Sequence, residues 1–319
     1  VGILYISHHL EEIFEVCDRV TVLRDGARVL NASVAEVTQE RLVAAMVGGT
    51  QQHPTEVSAP TAAESYERPR LEISHLHVAT TLGPVHDVSF TVRSGECVGL
   101  VGLQGSGTTT VADTVVGLAE PASGVITLDG RPLHAGRVHA TLRRGVAYVP
   151  EDRHARGFVP YLDVRENLTL SILDRLSRWG IVARPDDERV ASDLVDQLGI
   201  VISGLDQPVG QLSGGNQQKV VVGRALARHP AVLVAVTPTV GVDVAAKESL
   251  LNVIGAVRDA GTAVLLVSDD LEDLRVCTRL LVMVKGRLVK EYRQPPWDHH
   301  QVIAAVEGLE PASTGGEWT

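Results

Sequence analysis

The chain has 319 residues, 44% of them hydrophobic, and a formal net charge of −10 at pH 7. This length allows one large domain or two smaller ones, and the hydrophobic fraction is ordinary for a globular protein with a buried core. The charges are spread along the chain without a basic block, which argues against nucleic-acid binding. No apolar run approaches the roughly 18–20 residues that span a bilayer, so we expect a cytoplasmic protein that reaches the membrane only through a partner. Three cysteines without metal-site spacing indicate buried thiols in a reducing compartment.

The chain begins with a unit that returns near its end. The opening VGILYI is strand-like and has no basic region before it, so we expect no signal peptide. The segment SHHLEEIFEVCDRVTVLRDGARVL starts at Ser7 and returns as SDDLEDLRVCTRLLVMVKGRLV, which starts at Ser268. Each copy predicts an apolar strand, a short acidic helix, a second strand, a glycine turn and a third strand. Because the second copy ends a domain, we expect residues 1–49 to be the tail of an earlier one.

The middle of the chain divides by composition. Residues 50–70 are polar and rich in Pro, Ala, Ser and Glu, which predicts a flexible linker. From residue 71 to 308, short apolar strands alternate with helical stretches, which predicts an α/β fold with a largely parallel sheet covered on both faces. The predicted strands are Cys97–Val101, Val146–Val149, Val232–Val236 and Ala263–Val267. Residues 309–319 are expected to form a disordered tail.

A glycine-rich turn, GLQGSGTT, follows the first of these strands and leads into a helical stretch. In a turn of this spacing, backbone N–H groups converge on phosphate oxygens at a helix N-terminus. Thr108 replaces the lysine that normally reaches the β- and γ-phosphates, whereas Thr109 keeps the hydroxyl expected to bind Mg²⁺ weakly. A purely structural strand-to-helix turn would look the same. The candidate nucleotide-binding residues are Gly102, Gly105, Ser106, Gly107, Thr108, Thr109 and Thr110.

A second motif, QLSGGNQQK, occupies Gln211–Lys219. It resembles the L-S-G-G-Q signature of the ATP-binding-cassette (ABC) ATPases, in the form found in the second cassette of two-cassette ATPase subunits of monosaccharide importers. Three further stretches are similar to that family, and the resemblance covers nearly the whole chain. They are Tyr148–Arg153 (YVPEDR), Val164–Leu168 (VRENL) and Gly241–Val244 (GVDV).

The resemblance implies a P-loop NTPase cassette with a mostly parallel sheet, an antiparallel β subdomain and a helical subdomain. Residues 71–308 would form a second cassette, and residues 1–49 the remnant of a first one. In the family the signature closes over nucleotide held by the opposite cassette's phosphate loop. The signature residues are Leu212, Ser213, Gly214, Gly215 and Asn216. Asp243 falls in the D-loop, Glu151 at a coupling position, and residues 163–182 where the family docks on its permease.

The hydrolytic positions of the family are changed here. The family carries L-D-E-P-T, in which the Asp supports Mg²⁺ and the Glu acts on the attacking water. Val236 and Thr237 stand at these two positions, and Asp269 stands at the switch histidine, which the first repeat copy retains as His8. Phosphoryl transfer depends on positioning and electrostatics, and a missing general base costs ~10²–10⁴ in rate. We therefore expect this cassette to bind ATP and Mg²⁺ weakly at best and not to hydrolyse ATP.

The resemblance also implies partners and a location. The expected function is the ATP-binding subunit of an ABC transporter that imports simple sugars, at the cytoplasmic face of the membrane. Its partners would be a transmembrane sugar permease, a periplasmic or lipid-anchored sugar-binding protein acting through the permease, and a second ATP-binding chain.

Other functions stay open at this stage. The chain could be a non-hydrolysing interaction module or the inactive remnant of a truncated gene. A soluble cassette ATPase of translation or DNA repair fits less well, because the chain has the YVPEDR segment and lacks basic patches. The sequence does not identify the sugar, since in this family the binding protein and the permease select it.

Overall fold

The computed structural model describes residues 2–6, 10–24, 27–38, 41–42, 44–45, 69–81, 83–134, 136–178 and 181–309. His8, residues 50–68 of the predicted linker and residues 310–319 of the predicted tail lie outside the described residues. No helix in the described part of the chain is long and apolar enough to cross a membrane.

Strands and helices alternate along most of the described chain. The strands are β1 (Arg19–Arg24), β2 (Ala27–Ser33), β3 (Pro69–Val78), β4 (Val85–Arg93), β5 (Cys97–Val101), β6 (Ser123–Leu128), β7 (Arg131–Pro132), β8 (Val146–Val149), β9 (Ser177–Arg178), β10 (Ile181–Val182), β11 (Val232–Val236), β12 (Ala263–Val267), β13 (Arg279–Val284) and β14 (Arg287–Tyr292). The α-helices are α1 (Leu10–Val16), α2 (Thr108–Val116), α3 (Val138–Arg143), α4 (Val164–Thr169), α5 (Leu173–Leu176), α6 (Arg184–Leu198), α7 (Gly214–Leu226), α8 (Val244–Asp259) and α9 (His299–Val306).

A six-stranded sheet carries the candidate site, with strand order β14-β13-β5-β12-β11-β8. Its strands are parallel except for β14, which pairs antiparallel with β13. The four strands that the sequence predicted here begin and end at the expected residues. β5, β11 and β12 are buried along their whole length, as continuous apolar runs covered on both faces require. The predicted α/β fold with a largely parallel sheet is confirmed.

A second sheet is antiparallel, with strand order β4-β3-β6-β7. The apolar side chains of β3 and β4 pack with those of α2 and β5 in one buried cluster. β3 begins at Pro69, so the predicted linker ends two residues earlier than the composition indicated. Proline is acceptable there because the first residue of a strand need not donate a backbone hydrogen bond.

The helical subdomain follows β8. Helix α4 begins with a capping box, in which the Asp163 side chain accepts from the Glu166 N–H and the Glu166 side chain accepts from the Asp163 N–H. Residues 163–182 contain α4, α5 and the short β9–β10 hairpin. This is the region that the resemblance assigned to the permease contact.

The first repeat copy forms α1 and the β1–β2 hairpin around a small apolar cluster that includes Val20, Val22 and Leu42. Residues 2–6 have no regular secondary structure, so the strand predicted for VGILYI is wrong for these residues. In the second copy, the equivalent strand β12 lies between β5 and β11. The described residues contain no strand alongside residues 2–6, and an extended segment needs such neighbours for its backbone hydrogen bonds.

Candidate functional site

The glycine-rich turn connects β5 to α2, as the sequence predicted. Gly105 and Gly107 have φ angles of 82° and 102°, a left-handed conformation that glycine adopts without steric cost. A Cβ at Gly102 would collide with the Ser106 side chain and the Met283 carbonyl oxygen. The glycines are therefore required by the loop's path, and α2 presents its N-terminus at the end of that loop.

Two neighbouring segments support the loop from outside. The Thr110 hydroxyl donates to the Gly83 carbonyl at 2.7 Å, and the Gly286 N–H donates to the Ser106 carbonyl at 2.8 Å. The Ser106 side chain is only 6% exposed, and its hydroxyl has no partner among the described residues. The loop thus keeps the shape of a phosphate loop and contains an unpaired hydroxyl.

The changed residues alter the chemistry of this loop. Thr108, at the lysine position, is buried and carries no charge to offer a phosphate. Val236 is fully buried at the carboxyl end of β11, and a valine side chain has no atom that can bind a metal. The loop backbone and the Thr109 hydroxyl therefore suit phosphate, whereas the Val236 side chain offers no carboxylate to support Mg²⁺. The structure shows no group of three or more His, Cys, Asp or Glu fit for a metal within the residues it describes.

Thr237, at the position of the family's glutamate, combines two unfavourable features. Its φ angle is 40°, which is uncommon for a β-branched residue. A hydrogen bond from its N–H to the Val267 carbonyl, at 2.7 Å, holds the backbone in this conformation. Its hydroxyl is buried without a partner among the described residues. Strained residues of this kind cluster at functional sites, because the surrounding structure has to impose them.

Asp269, at the switch-histidine position, is exposed beyond the end of β12. The buried acidic residue in this segment is Asp273, which is 1% exposed. It accepts hydrogen bonds from Thr239 Oγ1 at 2.7 Å and Ser268 Oγ at 2.8 Å, and Lys247 Nζ lies 3.7 Å away. Burial raises the pKa of the Asp273 carboxyl, and the hydrogen bonds from Thr239 and Ser268 oppose that rise. This cluster holds the segment after β11 against the segment after β12.

The signature residues lie at the N-terminus of α7. Ser213 is exposed at the N-cap position, and its hydroxyl accepts from Asn216 Nδ2 at 3.0 Å instead of capping the helix. The hydroxyl proton is therefore free to donate outward. Leu212 is buried, and the first turn of α7 holds no acidic residue. An uncapped helix N-terminus with an outward hydroxyl donor is suited to an anion.

The remaining candidates are Asp243 and Glu151. Asp243 caps α8 by accepting from the Ala246 N–H at 2.9 Å. Glu151 is exposed in the loop after β8. The sequence did not single out Arg153, in the same loop. Its guanidinium donates to the carbonyl oxygens of Val240 and Gly241, where Gly241–Val244 is the D-loop, and backbone acceptors leave no trace in a sequence motif.

Residues 85–240 match the family model described as ABC transporter. The chain is 39% identical over 315 residues to a ribose import ATP-binding protein of Rubrobacter xylanophilus. It is 38% identical over 315 residues to a putative ribose/galactose/methyl galactoside import ATP-binding protein of Agrobacterium fabrum. These alignments cover 97% and 98% of this chain but 58% and 61% of the two relatives, so the chain spans about three fifths of their length.

Solved structures have the same fold. A dimeric bacterial ABC transporter cassette matches with a TM-score of 0.63 at 21% identity, covering 71% of this chain and all of that one. A dimeric cassette bound to ADP and Pi, in a post-hydrolysis state, matches with the same TM-score. An ATP-binding subunit of an ABC transporter matches with a TM-score of 0.59 at 26% identity, covering 75% of this chain and 94% of that one. The predicted cassette fold is thereby confirmed.

Proposed function

We propose, from the match of residues 85–240 to the ABC transporter family model and from the similarity to import ATP-binding proteins, that this chain is an ATP-binding subunit of a sugar importer. In this proposal the chain completes the ATP site of a second cassette through its own signature and does not hydrolyse ATP at its own phosphate loop. Residues 1–49 belong to a first cassette and residues 71–308 form the second.

The geometry of the signature carries this proposal. Ser213 is exposed at the N-cap of α7, its hydroxyl does not cap the helix, and the first turn of the helix contains no acidic residue. Such a helix N-terminus stabilises a negative charge that approaches it. The γ-phosphate of a nucleotide held by an opposite phosphate loop would be such a negative charge.

The chain's own phosphate loop supports the second half of the proposal. Val236 and Thr237 supply neither a metal ligand nor a general base, and Thr108 supplies no charge. A charge-assisted hydrogen bond to phosphate contributes roughly 1.5–3 kcal/mol, so the missing lysine alone weakens binding substantially. ATP, with Mg²⁺, is therefore a ligand that this chain shares with its partner and holds poorly alone.

The transported substrate class comes from the relatives. Both quoted relatives are named as import ATP-binding proteins for ribose or for ribose, galactose and methyl galactoside. We extend simple-sugar import to this chain, together with a transmembrane permease, an extracytoplasmic sugar-binding protein and a peripheral position at the cytoplasmic face of the membrane.

Nucleotide binding by the purified chain tests the degenerate site. The variant Thr108→Lys, Val236→Asp, Thr237→Glu restores the three family residues, and Thr108→Met, Val236→Asn, Thr237→Gln is a control of similar size without the charges. With a fluorescent ATP analogue and Mg²⁺, we expect no saturable binding by the wild type or the control, and binding by the restored variant. Hydrolysis of ATP by the wild-type chain alone would refute the proposal.

Reconstitution tests the signature. The chain is combined with the permease and with a cassette that carries an intact phosphate loop, and ATP hydrolysis is measured in vesicles. Ser213→Arg should abolish the stimulation by this chain, because it places a bulky side chain on the surface that closes on nucleotide, whereas Arg184→Gln on α6 should not. If the wild-type chain never stimulates hydrolysis, the interaction-module and remnant alternatives replace the proposal.

A further inference from the structure

Three motifs that are far apart in the sequence meet at one side chain. Arg153 ends the YVPEDR segment, and its Nη1 donates to the Val240 carbonyl at 2.7 Å while its Nη2 donates to the Gly241 carbonyl at 3.2 Å. Both acceptors belong to the D-loop and its preceding residue. A planar guanidinium presents its N–H groups in a fixed arrangement that fits two neighbouring carbonyls, whereas an ammonium group is a compact charge on a flexible stem.

The same guanidinium contacts the signature. A Cβ at Gly214 would lie 3.1 Å from Arg153 Nη2 and 3.1 Å from the Gly241 carbonyl oxygen. A Cβ at Gly241 would lie 3.3 Å from Arg153 Nη1. Each distance is tighter than an ordinary van der Waals contact. The glycines at these two positions thus leave room for the arginine between the D-loop and the first turn of α7.

The D-loop and the signature also touch directly. A Cβ at Gly215 would approach the Ala246 Cβ to 2.6 Å, so α7 and α8 begin in close contact. Asp243 caps α8 at this point. The N-terminus of α7, the D-loop and the N-terminus of α8 therefore form one packed unit, which Arg153 joins from the side of the YVPEDR segment.

The loop that carries Arg153 is itself held in place. Asp152 accepts hydrogen bonds from the N–H groups of Ala155 and His154, which lower the pKa of its carboxyl. A π-helical turn then runs from 153 to 157, and Arg224 of α7 donates to the Arg156 carbonyl at 3.3 Å. A displacement of this loop is thereby passed to the signature helix at two points, through Arg153 and through Arg224.

The charge of Arg153 points to a function. Its Nε is buried without a hydrogen-bond partner among the described residues, and its Nη atoms bind carbonyl oxygens, although a cation beside a helix N-terminus is electrostatically unfavourable. We propose that Arg153 is a positioning residue that fixes the D-loop against the signature, so that the YVPEDR loop and the nucleotide-facing surface move together. This inference rests on the proposed function, in which that surface closes on a partner's nucleotide.

Hydrogen exchange on the purified chain tests the positioning directly. The reporter amides are those of Ala246 and Gln217, which donate hydrogen bonds within the unit, and of Val240, which donates to Thr237 immediately before it. Arg153→Gln should speed their exchange at least about tenfold. Arg153→Lys should give an intermediate effect, because lysine keeps the charge but not the two fixed N–H donors of the guanidinium. The control Arg184→Gln, which removes ion pairs to Glu188 and Asp206, should leave these amides unchanged.

Two outcomes would overturn the inference. One is unchanged exchange at the three reporter amides in a folded Arg153→Gln chain. The other comes from the reconstituted transporter, where Arg153→Gln should lower kcat for ATP at least about tenfold with little change in KM, and an unchanged kcat would contradict the inference. If Arg153→Gln does not fold, Arg153→Lys supplies both measurements. The exchange experiment needs no partner, so it stays decisive even if wild-type chain fails to stimulate hydrolysis and the proposed function falls.

Discussion

The Tyr148 hydroxyl donates a 2.9 Å hydrogen bond to Asp113 Oδ1, which joins β8 to the helix that follows the phosphate loop. Arg156, in the loop after β8, lies 3.8 Å from the other oxygen of the same carboxylate. Asp113 therefore links the phosphate-loop helix to the loop that carries Arg153. Burial, together with the adjacent Asp113 charge, raises the pKa of the Tyr148 hydroxyl well above its usual value of 10.0.

This relationship predicts how stability depends on alkaline pH. Because the pKa of Tyr148 is higher in the folded state, its stabilising contribution is complete below pH 10 and is lost as the pH rises through the folded-state pKa. Between pH 9 and 11, the free energy of unfolding should fall more steeply for the wild type than for Tyr148→Phe. Urea unfolding at several pH values measures this, and parallel curves for the two proteins would contradict it.

A second prediction concerns the strain at Thr237. Thr237→Gly removes both the unpaired hydroxyl and the steric cost of the positive φ angle, so it should stabilise the protein by about 1 kcal/mol despite the greater freedom of glycine in the unfolded chain. Thr237→Val removes only the hydroxyl and should gain less. Thermal and urea unfolding measure both variants. A Thr237→Gly protein less stable than the wild type would show that the threonine methyl packs more favourably than the geometry indicates.

The sequence predicted the sheet well for a physical reason. A strand buried on both faces needs a continuous apolar run, and β5, β8, β11 and β12 are such runs between turn residues. The glycine-rich turn between β5 and α2 was equally predictable, since its glycines are required by a left-handed backbone and close contacts. The sequence did not predict the conformation of residues 2–6, because an apolar segment forms a strand only where a neighbouring strand pairs with it. The contacts of Arg153 were missed for the same reason, as its acceptors are carbonyls 87 and 88 positions away.

The repeat was predictable in outline but not in detail. The short acidic helix expected in both copies is α1 in the first copy. In the second copy it is a single 3₁₀ turn, Asp273–Val276, whose first residue is held by Thr239 and Ser268. These buried hydrogen bonds override the local helical tendency. Composition and spacing describe the local preference, and tertiary contacts decide the outcome.

The three cysteines should differ in reactivity. Cys97 and Cys277 are fully buried with their Sγ atoms 3.7 Å apart, whereas Cys17 is partly exposed. Burial, together with the neighbouring Cys97, raises the pKa of the Cys277 thiol, and the thiolate is the reactive form. Titration with a chromogenic disulfide reagent should label one thiol per native chain quickly and the other two only on unfolding. Cys17→Ser should abolish the fast phase. Equal rates for all three thiols would contradict the buried placement.

The last prediction concerns the hydroxyl of Thr239, which donates to the buried Asp273 carboxylate. Thr239→Val should cost about 1.5–3 kcal/mol at pH 7, the usual loss for a hydrogen bond to a charged group, and Thr239→Ser should cost little because it keeps the donor.

The cost of Thr239→Val should also depend on pH. Burial already places the pKa of Asp273 above its unfolded value of 3.8, and loss of the Thr239 donor raises it further. The folded variant then takes up a proton more readily as the pH falls. The difference in unfolding free energy between wild type and Thr239→Val should therefore shrink as the pH falls from neutral toward the raised pKa of the carboxyl. Urea unfolding at a series of pH values from 7 downward measures this. An unchanged difference throughout, or an equal cost for Thr239→Ser, would mean that the hydroxyl does not stabilise the carboxylate.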